Sequence, residues 1–271
     1  AQKIPVEGAR ALERLRITKG VSSFEDHSTT LTVRDLAKSP ILSKFLKTTV
    51  PTGKPVQWIS KQQLRNDEQA TVAGVLLFSE EPQVTLPKRS AIKIYRYRTK
   101  NEEGARDTLA FDPLTIEGPL YDLIYAAVAK TKELVEDIKK LGPKWLEPIL
   151  YPDETLHEIV TNAVLHRDYS IPSDVHIRIF DNRIEVESPG LLPGHITVGN
   201  ILNEQFARNP KLVRLINKFP NPPNKDVGEG LNTAFAAMKK LRLKAPEIPE
   251  RDNTVRINIK HDSLASPETI V

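Results

Sequence analysis

The chain has 271 residues, 39 basic and 35 acidic side chains, a formal net charge of +4 and no cysteine. That length suits one large or two modest domains. The missing cysteines exclude disulfides and thiolate metal sites, and no apolar run approaches the roughly 20 residues needed to cross a bilayer. The expectation is a protein without membrane contact, cytoplasmic by default, whose mild charge bias permits nucleic-acid contact without establishing it.

Residues 1–71 alternate short apolar clusters with polar and proline-containing stretches and read as a mainly helical or linker segment. Within them Leu31 to Leu46, interrupted by Pro40, fits two short helices, and 50–70 fits a loop-rich connection. Val72 to Phe78 is a continuous apolar run of strand length, and Ala91 to Tyr97 alternates Ile92, Ile94 and Tyr95 with charged residues; both read as strands. Gly118 and Pro119 open a long helix with Leu120, Leu123, Ile124, Ala127, Leu134, Ile138 and Leu141 on one face, which Gly142 and Pro143 end.

A second helix starts after Pro152 and ends near His166 to Tyr169. Residues four apart on a helix lie one above the other, so Glu158, Asn162 and His166 form a polar row beside the apolar stripe of Leu156, Ile159, Val160, Ala163 and Val164. A structural alternative exists for Glu158, because Thr155 three residues earlier completes a Thr-x-x-Glu capping box. It leaves Asn162 and His166 unexplained. Val175, Ile177 and Ile179 then alternate with polar neighbours, Asp181-Asn182 turns the chain, and Ile184 and Val186 return as the second arm of a hairpin ending at Ser188-Pro189-Gly190. The proline- and asparagine-rich segment 191–227 reads as irregular and lid-like apart from a short helix around Leu212 to Ile216. Gly228-Glu229-Gly230 leads into a helix with Leu231, Ala234, Phe235, Met238 and Leu241 on one face. Val255, Ile257 and Ile259 form a last strand, followed by a tail over 263–271.

The order of these elements, and the strings "LHEIVTNAVLHRDYS" (156–170), "IFDNRIEVESPGLLP" (179–193) and "ARNP" (207–210), resemble the ATPase family shared by gyrase, the ninety-kilodalton heat-shock chaperone, histidine kinases and MutL. Within it they resemble the branch attached to Schlafen-like or Alba-type domains assigned to DNA binding. The resemblance covers about residues 72–262. It implies an α+β fold: a two-layer sandwich of the Bergerat kind, with a mixed, mostly antiparallel sheet carrying helices on one face, preceded by the smaller helical segment 1–71.

The resemblance also implies ATP and Mg²⁺. Glu158 would act on the attacking water and Asn162 would bind the magnesium. This is reasonable chemistry, since Mg²⁺ takes few protein ligands and a carboxylate within one water of the γ-phosphate can act as a general base. His166 would meet a phosphate or cap the helix end. Glu187 would take the place of the family's adenine-binding aspartate, with Ser188 and Gly190 in the same turn. Pro189 and Leu191 depart from the family's glycine pattern there, and a plain strand-ending turn accounts for the same residues.

Gly228 and Gly230 would cradle phosphate at a helix start, and Arg208 would pair with phosphate oxygens. Arg167 and Asp168 fit an internal ion pair. The chain begins where the resembled branch would already have completed its DNA-binding domain, which implies a fragment or a member lacking that part; DNA contact is expected through that other part, direct DNA binding by these residues is a weaker expectation, and homo-oligomerisation is an open one. Two functions follow: a magnesium-dependent ATP-binding, slowly hydrolysing regulatory module, or a scaffold that keeps the fold and binds nucleotide weakly or not at all.

Overall fold

A computed structural model describes residues 8, 12, 16, 22–86, 90–141, 145–192, 195–204, 206–223, 231–249 and 253–261. After a 3₁₀ turn at Phe24–Asp26, the N-terminal part runs β1 (Ser28–Thr32), α1 (Val33–Leu36), α2 (Pro40–Thr49), α3 (Pro55–Lys61), β2 (Arg65–Asn66) and β3 (Gln69–Thr71). Local chemistry sets these boundaries. The Thr32 hydroxyl accepts from Asp35 N, Ser39 accepts from Ile41 N, and Pro40 and Pro55 sit in first turns, where a missing N–H costs nothing. The stretch 50–70, expected as loop, therefore holds a helix and a hairpin.

The largest difference from the sequence reading follows. Val72–Phe78 is not a strand but helix α4, and all seven of its residues are buried. A short apolar run carries no periodicity that separates the two states. The deciding feature is Thr71, whose side chain accepts from Gly74 N at 3.3 Å and starts a helix that is then packed on every side. Phe78 stands in an aromatic cluster with Phe45, Trp58 and Phe219, with ring centroids 4.7 to 5.8 Å apart. The apolar core passes through this cluster without a break from the N-terminal helices into the rest of the chain.

Beyond α5 (Pro82–Thr85), strands β4 (Ile92–Arg96) and β5 (Leu114–Ile116) lead to the long helix α6 (Leu120–Glu136). It ends at Asp137, earlier than the apolar spacing suggests. Ile138 is buried outside the helix, and β6 (Lys139–Leu141) pairs with β7 (Leu146–Pro148) as a separate ribbon. Helix α7 (Asp153–Leu165), the hairpin β8 (Val175–Ile179) and β9 (Arg183–Pro189), helices α8 (Pro210–Ile216) and α9 (Leu231–Lys240), and β10 (Thr254–Lys260) complete the described chain.

The sheet order is β10-β9-β8-β4-β5, antiparallel throughout except for the parallel β4–β8 pair. Alternation sends Ile92, Ile94, Ile177, Ile179, Ile184, Val186 and Ile259 into the core under α6, α7 and α9. The opposite face carries Lys93, Tyr95, His176, Arg178, Glu187 and Arg256, none fully buried. The fold is thus α+β, with a mixed, mostly antiparallel sheet and helices on one face.

Phe78→Ala would open a cavity where both parts of the core meet. Urea unfolding is expected to show a loss of about 3–5 kcal/mol, with Phe78→Leu losing much less. Equal, near-zero losses would show that the cluster does not join the two parts.

Candidate functional site

Helix α7 lies on the sheet beside α6 and α9, and the row read from the sequence runs along one of its flanks. Glu158 is buried, and Asn162 Nδ2 donates to its Oε1 at 2.7 Å. The capping-box alternative is not formed. The helix starts at Asp153 with Pro152 before it, so Thr155 is already inside, and its hydroxyl points to Ala234 O on α9 at 3.4 Å. Glu158 therefore does not complete a capping box. His166 terminates the helix, its amide donating to Asn162 O at 3.0 Å. Burial first, and the neighbouring Arg208 charge second, push its ring down to about 4. The imidazole is neutral near pH 7, so the expectation of a cationic cap on the helix dipole does not hold.

The three strings singled out in the sequence meet where α7 ends. A helix leaves its last carbonyls without partners, and here three side chains supply them, the nearby Tyr169 hydroxyl donating to Val164 O at 3.1 Å. Ser188 Oγ donates to Ala163 O at 2.7 Å, while Asn209 Nδ2 donates to Leu165 O at 2.8 Å and Arg167 O at 2.9 Å. Asp168 N donates to Pro189 O at 2.8 Å, and its carboxylate accepts from the backbone and hydroxyl of Ser170.

The ion pair of Asp168 differs from the one expected. Its partner is Arg208, at 3.3 Å with both side chains buried, and Arg208 also donates to Leu191 O. Arg167 instead donates to Ile171 O and Ser173 O and lies 4.7 Å over the Tyr169 ring. Arg208 is thus engaged by internal partners at the junction. Gly190 has φ +108°, and a Cβ there would come within 2.8 Å of Asp168 Cβ, so glycine is required both by conformation and by close approach.

Glu187 is not brought to the α7 row. Neighbouring residues on a strand face opposite ways, so with Ser188 turned to α7, Glu187 lies on the open face of the sheet. There Arg256 Nε donates to it at 2.9 Å, and Arg178 lies 3.3 Å away. Burial draws its carboxyl upward, but Arg178 and Arg256 outweigh this and hold it below the ordinary glutamate value. The structure thus sets Glu187, for which alignment gave an adenine contact, apart from the α7 row. Gly228 and Gly230 lie outside the described residues. Helix α9 starts at Leu231, and Asn232 Nδ2 ties it to Leu202 O at 2.7 Å.

Two residues at this junction escaped the sequence reading. Asn209 precedes α8 but spends its side chain on α7, leaving the first amides of α8 without their usual cap. Glu25, fully buried, fills that place: its two carboxyl oxygens accept from Lys211 N and Leu212 N, each at 2.8 Å. Burial, opposed by those two hydrogen bonds, raises its carboxyl to about 7. Ser23 adds a bond to Arg208 O at 2.9 Å. Asn209 stood beside a residue already singled out, whereas nothing in the local sequence marks Glu25.

Residues 173–259 match a family model described as "Putative ATP-dependent DNA helicase recG C-terminal", which supports an ATPase-like domain. The match starts after α7, so Glu158 and Asn162 lie outside it. No curated protein matches the chain. Among solved structures, the chain is similar to the DIP2311 protein from Corynebacterium diphtheriae, with a TM-score of 0.64 at 20% identity. The similarity covers 95% of this chain and 43% of that one, so the chain spans less than half of that protein. At this identity the likeness speaks for the fold alone. No described helix is long and apolar enough to cross a membrane.

Gly190→Ala is expected to cost about 1–3 kcal/mol in chemical unfolding, since it strains the backbone and crowds Asp168. An unchanged midpoint would mean the turn is looser than this packing.

The two shifted groups also give pH dependences of opposite sign. Glu25, raised in the folded state, contributes stability that is complete below about 4.5 and is lost as pH rises through about 7. His166, depressed, contributes stability that is present above about 6.5 and is lost as pH falls toward about 4. Relative to the native chain, Glu25→Gln should therefore become less stable as pH drops from 7 to 4.5, and His166→Asn should become more stable from 6.5 to 4. Each change should reach up to about 3 kcal/mol at 1.36 kcal/mol per pKa unit. Parallel unfolding curves across this range would refute both assignments.

Proposed function

We propose that the chain is an ATP-binding module, slowly hydrolysing, that belongs to a larger DNA-binding regulator. The observation that carries this reading is the hydrogen-bonded Glu158–Asn162 pair on the flank of α7, next to α9. The ATP-dependent description of the matched family supports nucleotide as the ligand.

The donor set suits magnesium brought in by the nucleotide. Among the described residues no three His, Cys, Asp or Glu side chains cluster as a metal site, so protein ligands alone would not hold the ion. The Asn162 amide oxygen is a hard donor, and its Nδ2 is already engaged by Glu158, which fixes the plane of the amide. When bound, the ion offsets phosphate charge. Glu158 holds its carboxylate where it can accept a proton from a water positioned for attack. Recognition of the base falls to residues other than Glu187.

A second reading, a scaffold that no longer binds nucleotide, is favoured by Glu187 and Arg208, each of which is taken up by internal partners.

Thermal unfolding with and without Mg-ATP separates the two. A ligand that binds only the folded chain at 100 times its Kd stabilises it by about 2.7 kcal/mol, a clear rise in Tm. Asn162→Ala should abolish the magnesium-dependent part of that rise. Glu158→Ala should keep it while losing phosphate release. No rise with the native chain at millimolar nucleotide would leave the scaffold as the correct reading.

A further inference from the structure

We propose that α2, α3 and the turn between them form a binding surface for duplex DNA within this chain, separate from the α7 row and from any additional domain. The order strand β1, one-turn helix α1, helix pair α2 and α3, two-stranded hairpin, with the first strand pairing the last in the sheet β1-β3-β2, resembles the winged helix-turn-helix arrangement with α1 as an additional turn. In that arrangement the second helix of the pair lies in the major groove. Topology alone does not establish function, and the charge distribution carries the argument further.

Between Asp35 and Asp67 the sequence has six basic residues, Lys38, Lys44, Lys47, Lys54, Lys61 and Arg65, and no acidic one. The whole chain nets only +4, so this short stretch holds more positive charge than the entire molecule retains. Lys38 and Arg65 have carboxylate partners in Asp35 and Glu68 at its margins. Lys44, Lys47, Lys54 and Lys61 are exposed and have no such partner among the described residues. Exposed lysines without carboxylate partners are available to a phosphate backbone, whose binding releases counterions.

Helix α3 has the division of labour that a groove-facing helix needs. Trp58 and Ile59 are buried and fix it to the core, while Lys54, Gln57 and Lys61, at helical spacing, form an exposed stripe with Ser60 beside it. Lysines at both ends suit phosphates, and Gln57 between them has the amide that pairs with an adenine edge. Lys44 and Lys47 share one face of α2. Gly53, whose amide donates to Val50 O at 2.8 Å, closes the turn where a Cβ would meet that same oxygen at 3.0 Å. The hairpin tip carries Asp67 and Glu68, which repel phosphate, so contact is assigned to the helices and not to the wing.

The test is fluorescence anisotropy of a labelled duplex of about 20 base pairs, titrated with the full 271-residue chain at about 50 mM salt without nucleotide, so that failure of the ATP reading leaves it unaffected. Micromolar binding is expected, weakened at least about tenfold by Lys54→Glu/Lys61→Glu, with the log–log salt slope reduced by about 2. Circular dichroism melts should be unchanged, because both side chains are exposed. Lys239→Glu/Lys240→Glu, the same charge change on exposed residues of α9 outside the proposed surface, should alter affinity less than about threefold. Absence of binding by the native chain, equal weakening by both pairs, or tighter binding of single-stranded than duplex DNA would overturn the proposal.

Discussion

The end of helix α7 is the constraint on which the rest of the structure depends. Its last carbonyls point into the interior, where water cannot satisfy them; Tyr169 close by serves one, and two side chains from distant strings, Ser188 and Asn209, serve others. Placing Ser188 there sets the parity of β9. Placing Asn209 there brings Arg208 against Asp168, and that buried pair in turn packs on Gly190. Losing any one donor would strand a buried polar group, which costs more than the bond itself contributes. The three strings are therefore bound together first by the chemistry of a helix terminus.

This explains how far the sequence was readable. The α7 helix, the hairpin and the last two elements stood out because their apolar periods are long and their turns are marked. Glu158 and Asn162 were visible as a row because helical spacing alone brings them together. The separation of Glu187 from that row was not legible because alignment on a turn does not control strand parity, and a shift of one residue moves a side chain through the sheet. The Asp168 partner of Arg208 was hidden for a related reason: a motif shows that a residue matters without showing what it pairs with. Val72–Phe78 is ambiguous in principle, since complete burial erases the amphipathic signal, and only Thr71 tips it to a helix.

The sheet also divides the molecule's chemistry. Its covered face is aliphatic and holds the helices. Its open face carries Arg178, Arg256 and Glu187, an acid held between two guanidinium groups. Glu187 on the middle strand β9 thus links Arg178 on β8 to Arg256 on β10, and Arg256 also pairs with Glu185, so this arrangement stabilises the three strands together, not pairwise.

Helix α8 occupies an unusual position between these parts. Its leading residues brace α7, its first amides are held by Glu25 from 186 positions earlier in the chain, and Arg214 reaches Gln62 just past the end of α3. A short rod gripped at both ends by different parts of the molecule cannot shift at one end alone. Any ligand that displaced Arg208 and Asn209 would loosen the grip of Glu25 and Gln62, and anything that tightened that grip would oppose the ligand by the same free energy.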